Sequence, residues 1–173
     1  MSVRFSTGSR LMLLAAGSLA LAACASKAPK ELPPEPGVAT TTDTAQGTLG
    51  PAPGSQADFQ AFTQGGDTIY FDTDMYNIDS VDAAALQKQA QWLLKYPARR
   101  ATVEGHCDER GTRDYNLALG ERRANAAKNY LAGLGVDAAR LTTVSYGKER
   151  PVALGSNEEA WAQNRRAVTI TID

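Results

Sequence analysis

Histidine occurs once in the 173 residues and cysteine twice. One histidine rules out a metal site that needs two and leaves little scope for histidine-based catalysis. Two cysteines rule out a disulfide-dense scaffold and a four-cysteine zinc site. Neither sign of charge is in excess: 18 Lys and Arg stand against 19 Asp and Glu, a net charge of −1. Without a basic surplus, nucleic acid is excluded as the main partner. Aromatics are sparse at 7%, but 43% of the chain is hydrophobic and 21% charged, normal for a folded soluble protein, so disorder along the whole length is excluded. The length allows one ordinary domain plus a tail.

The N-terminal segment reads as an address. Arg4 and Arg10 form a positive n-region, and the apolar run from Leu11 to Leu21 is too short to span a bilayer comfortably. It ends in Leu21-Ala22-Ala23-Cys24, which resembles a bacterial lipobox. That resemblance implies cleavage after residue 23 and acylation of Cys24. A triacylated cysteine would anchor the chain without a transmembrane helix, since stable anchoring needs more than one acyl chain. Ala25 and Ser26 follow rather than an inner-membrane retention Asp, which points to the outer membrane. Residues 24–57 then hold six of the eight prolines, with no helical or strand period. They are expected to form a disordered tether reaching ~100 Å when extended.

The expected folded domain covers residues 58–173 and alternates strand and helix. Asp67 to Phe71 reads as a strand, and Asp79 or Ser80 caps a helix to about Tyr96 with Val81, Leu86, Ala90, Leu93 and Leu94 as its stripe. Arg100 to His106 reads as a second strand. A long helix follows from Thr112 or Asp114, with Leu117, Gly120, Ala124, Ala127, Leu131 and Leu134 recurring at steps of three and four. Leu141 to Tyr146 is a third strand, Glu158 to Arg166 a short helix, and Ala167 to Ile172 a fourth strand with Val168, Ile170 and Ile172 facing in. This order predicts an α/β two-layer sandwich with the helices on one face of the sheet.

Residues 104–124 carry the most specific pattern. Asp108 follows a strand, Gly111 stands three on, Asn116 eight on, and Arg123-Ala124 fifteen on. Tyr146-Gly147 and Asn164-Arg165-Arg166 complete it. This resembles the OmpA-like peptidoglycan-binding domain family over about 67–173. The resemblance implies a mixed sheet in the order β-α-β-α-β-(α)-β and a site for the diaminopimelate of peptidoglycan stem peptides. Asp108, Asn116 and Arg123 would contact that ligand, with the Phe71-Asp72-Thr73-Asp74 turn in a further wall, Phe71 and Asp72 as its ligand contacts. The residue types suit the chemistry. Asp108 offers charge-assisted acceptors to an ammonium, and Arg123 a planar fork to a carboxylate. Asn116 lies two helical turns before Arg123, on the same face. For lipid-anchored members the resemblance further implies TolB and other Tol proteins as partners, with TolB competing for the same domain. No cofactor is expected.

Other readings stay open at this point. His106 and Cys107 form the core of a rival cell-wall hydrolase reading, weakened because neighbouring strand side chains point to opposite faces. Glu104, His106, Asp108 and Glu109 offer a metal few nitrogen or sulfur ligands. Arg165 and Arg166 suit a salt bridge as well as a ligand. Gly120 stands where the wider family often has Ser, which predicts a local loss of helix stability.

Overall fold

The computed structural model describes residues 50–172. The expected signal segment, Cys24 and most of the expected tether lie outside the described residues. The elements in order are α1 (Gln56–Thr63), β1 (Thr68–Tyr70), α2 (Ser80–Lys95), β2 (Arg100–His106), α3 (Arg113–Gly133), a 3-10 turn (Ala138–Arg140), β3 (Leu141–Gly147), α4 (Glu158–Asn164) and β4 (Arg166–Ile172). The sheet order is β1-β4-β2-β3. Strand β4 is antiparallel to both β1 and β2, while β2 and β3 are parallel. Strands β1, β2 and β3 therefore all end at the same edge of the sheet. The α/β two-layer arrangement expected from the sequence is the one observed.

Caps and breakers set the helix ends. Asp79 accepts from the N–H groups of Val81 and Asp82 at the start of α2, and Thr112 accepts from Tyr115 at the start of α3. Leu86, Ala90 and Leu93 of α2 meet Ala124, Ala127 and Leu131 of α3 over Ile69, Ala101, Val103, Leu141 and Ala167 of the sheet. Val81 and Leu94 leave the expected stripe, being 75% and 49% exposed, while Trp92 takes a core place.

Helix α1 was not expected, and it begins two residues before the anticipated start of the domain at 58. Its cap is Ser55, whose hydroxyl accepts from Asp58 N–H. The Asp58 carboxylate accepts from Trp92 Nε1 at 2.9 Å and from Gly54 N–H. Phe59 is fully buried and meets the Trp92 ring edge-on at 5.1 Å. Ser55 with Asp58 three residues on is a capping signal, hidden in a stretch whose composition reads as linker.

Strand β4 presents the opposite face from the one expected. Ala167 and Thr169 are buried toward the helices, paired with Gly105 and Val103. Val168 and Ile170 are half-buried on the outer face and Ile172 is exposed. Glutamines from the helical layer invert the simple rule that apolar residues face in. Thr169 Oγ1 donates to the buried Gln89 of α2, and both Thr171 N–H and Oγ1 donate to Gln56 of α1.

Helix α3 presses directly on β2 through two glycines. A Cβ added to Gly105 would fall on the carbonyl oxygen of Gly120, and one added to Gly120 would meet Ser145 Oγ. Gly120 thus serves close packing, which outweighs its low helix propensity. Gly105→Ala is expected to lower unfolding free energy by about 3 kcal/mol, read from urea denaturation midpoints. A loss below ~1 kcal/mol would show that the two backbones can separate without harm.

Candidate ligand-binding site

The loops after β1 and β2 meet the N-terminal half of α3 in a cavity of about 260 Å³. Thr73, Asp74, Cys107, Asp108, Arg110, Gly111, Tyr115, Asn116, Leu119 and Arg123 line it. The carboxyl ends of strands in an open sheet commonly form such crevices, because the loops diverge there.

Asp108, Asn116 and Arg123 all reach this cavity, as their spacing implied. Each is more tightly engaged than a side chain awaiting a ligand. Arg123 is fully buried. Its Nε donates to Met75 O at 2.9 Å, Nη1 to His106 O at 2.9 Å and Nη2 to Asp72 O at 3.0 Å. The guanidinium lies 5.1 Å from the Phe71 ring centroid. Burial draws its pKa down from the ordinary arginine value. Of its five N–H groups the three carbonyls take three, and the Cys107 thiol also faces the guanidinium. Asn116 Nδ2 donates to Arg110 O at 2.6 Å and Thr112 O at 3.2 Å, so it shapes the loop and leaves only Oδ1 to accept.

Asp108 is gripped by arginines. Arg110 Nε donates to Oδ1 at 3.1 Å and Nη2 to Oδ2 at 2.7 Å, while the Arg110 N–H reaches Oδ1 at 3.0 Å. Arg165 Nη1 stands 3.5 Å from Oδ2. Burial alone would raise the Asp108 pKa, but the Arg110 hydrogen bonds and the two guanidinium charges outweigh it and hold the carboxyl below its usual value. Arg165 is fixed in turn by Phe71 O and Glu158.

Phe71 and Asp72 do not line this cavity. They line the neighbouring one, with Asp82 and Arg165, across the loop that follows β1. Their tie to the site runs through Arg123, by ring contact and carbonyl. Thr73 and Asp74, the second half of the expected turn, do form its wall, and Asp74 accepts from the Tyr115 hydroxyl at 3.1 Å. Sequence reasoning missed Tyr115 and Arg110, although Tyr115 precedes Asn116 and Arg110 follows Asp108 by two.

His106 and Cys107 make no catalytic pair. Cys107 Sγ donates to Asn116 O at 3.3 Å, and burial raises its thiol pKa. His106 stacks on Tyr146, on the sheet face away from the helices. Its pKa falls from 6.5 to about 4, through burial first and then the charges of Arg166 and Arg150. Glu104 Oε2 lies only 3.5 Å from Nε2 and pulls the other way, but burial prevails. Among the described residues, no three His, Cys, Asp or Glu side chains are grouped to hold a metal ion, and no helix is long and apolar enough to cross a membrane.

A fold of this topology, with an acid and an arginine converging beyond the strand ends, defines a class. Residues 70–165 match the model of the OmpA family, and the chain belongs to that family. The chain is 52% identical over 154 residues to the peptidoglycan-associated lipoprotein of Agrobacterium fabrum, covering 88% of this chain and 82% of that one. Its identity to the peptidoglycan-associated lipoprotein of Rhizobium meliloti is 49% over 160 residues, covering 92% and 86%. The crystal structure of the peptidoglycan-associated lipoprotein from Burkholderia pseudomallei superposes with a TM-score of 0.59 at 48% identity, covering 61% of this chain and 89% of that chain.

Two outcomes follow from the geometry. Arg123→Ala orphans three carbonyls and is expected to destabilise the fold by about 3–5 kcal/mol in chemical denaturation. A loss within ~0.5 kcal/mol would show that the clamp is not structural. For His106 the folded pKa lies below the unfolded one, so the unfolded chain alone takes up a proton between them. Stability is complete above pH 6.5 and falls toward about pH 4, by on the order of 3 kcal/mol. His106→Phe should flatten the stability profile across that window, and an unchanged slope would exclude His106 as its source.

Proposed function

We propose that this protein is a non-enzymatic lipoprotein that binds peptidoglycan noncovalently and ties it to the outer membrane. The relatives bear the name peptidoglycan-associated lipoprotein, and the OmpA family match over residues 70–165 spans α2 through α4. One observation carries the reading: Asp108, Asn116 and Arg123 line a single cavity. The ligand is the diaminopimelate of a stem peptide. Its ammonium pairs with Asp108, and its carboxylate takes N–H groups of Arg123 that the three carbonyls leave. Asn116 Oδ1 accepts from the ligand. Phe71 and Asp72 act from behind by holding Arg123 in place. Acylated Cys24 anchors the other end, in the outer leaflet's periplasmic counterpart, and residues between 24 and the domain span the gap. The family resemblance supports TolB and other Tol proteins as partners, in envelope integrity and cell division.

The test is sedimentation of the full-length protein with purified sacculi. Diaminopimelate-type murein is expected to pull it down without releasing soluble muropeptides, and muropeptide release would instead favour a hydrolase. Asp108→Asn should weaken binding by about tenfold or more, since a charge-assisted hydrogen bond is lost. Lysine-type murein lacks the carboxylate and should bind more weakly. Equal sedimentation of wild type and Asp108→Asn would overturn the assignment.

A further inference from the structure

The Asp108 carboxylate is engaged by one neighbour above all. Three hydrogen bonds reach it, every one from Arg110: the N–H and Nε on Oδ1, and Nη2 on Oδ2. Arg165 Nη1 stands 3.5 Å from Oδ2 as an ion pair without a hydrogen bond. An entering ammonium competes with these groups for the carboxylate. The Arg110 N–H is part of the turn. The Arg165 side chain is 7% exposed and is held by Phe71 O and Glu158. The Arg110 side chain is 38% exposed and is the one free to swing. Leaving the carboxylate would not strand it. Its guanidinium already lies over the Trp161 ring, 4.2 Å from the centroid, and Nη2 touches Thr73 Oγ1 at 3.2 Å. Glu158 contributes favourable charge on the same side. A guanidinium that stayed in place would also repel the incoming cation.

We infer that Arg110 is an intramolecular competitor for the ammonium seat at Asp108, a latch that occupies the site when ligand is absent and, when ligand binds, gives up the carboxylate while keeping its seat over Trp161. The inference rests on the reading that Asp108 receives the ligand's ammonium. It makes Arg110 a specificity-determining residue. Ligands without a cation leave the latch shut, and ligands with one bind against the competition of an ion pair that is partly open to water.

The experiment is calorimetric titration of the full-length protein with the tripeptide L-alanyl-γ-D-glutamyl-meso-diaminopimelate. Arg110→Gln keeps the backbone donor and removes the competing charge. It is expected to bind about two- to fivefold more tightly than wild type, the range set by releasing a partly exposed ion pair. In the Asp108→Asn background the same substitution should bring no gain. In the wild type, the Arg110 Nε–H should exchange faster with water once ligand saturates the site, a signature that a merely structural arginine would not give. Equal or weaker binding by Arg110→Gln, with wild type still binding, would overturn the latch while leaving the peptidoglycan reading intact. Absence of binding by both proteins would overturn both.

Discussion

One guanidinium joins the parts of this domain that the chain keeps apart. The ends of β1 and β2 are separated in the sheet by β4, so no ladder hydrogen bond links them. Arg123 of α3 reaches Asp72 O and Met75 O after β1, and His106 O at the end of β2. Three carbonyls converging on one group suit the flat, many-donor fork of arginine better than a point-like ammonium. Removing a guanidinium from water is costly, and the carbonyl dipoles with the face of Phe71 offset that cost. The clamp works because α3 lies unusually close to β2. Gly105 and Gly120 allow that approach, so packing and the polar clamp depend on each other.

Around the clamp, charge organises the loops. Asp108 gathers Arg110 from its own turn and Arg165 from the start of the last strand. Lys148 donates to Glu109 O and Gly111 O from the end of β3. Trp161 Nε1 holds Glu109 from α4. Every segment that crosses this edge of the sheet is thus tied to the turn at 108–111. The turn is polar, half-open to water and well supplied with cations. Those are properties of a place that exchanges partners, whereas the apolar layer beneath it is closed.

Much of this was legible before the fold was known. The caps at Asp79 and Thr112 and the stop at Pro97 delimit the long helices, because capping is a local matter of a few residues. Asp108, Asn116 and Arg123 line one cavity, and a helical period and one short turn relate them. Less was legible where a distant element decides. Thr169 turns inward only because Gln89 stands above it, and helix α1 persists because Trp92 receives Asp58 and Phe59. Phe71 and Asp72 sit behind the cavity, since the loop after β1 turns its next two residues toward Tyr115.

The amino-acid order by itself determined the element sequence and the sandwich architecture, since these follow from periodicity and contacts a few residues apart, while the trio of Asp108, Asn116 and Arg123 was picked out by its resemblance to the family pattern. Which face of the last strand is buried, which of the trio the main chain engages, and that Arg110 covers Asp108 were decided only in three dimensions. Those outcomes depend on donors and acceptors brought together from distant parts of the chain, and no local pattern records which partner a buried polar group will find.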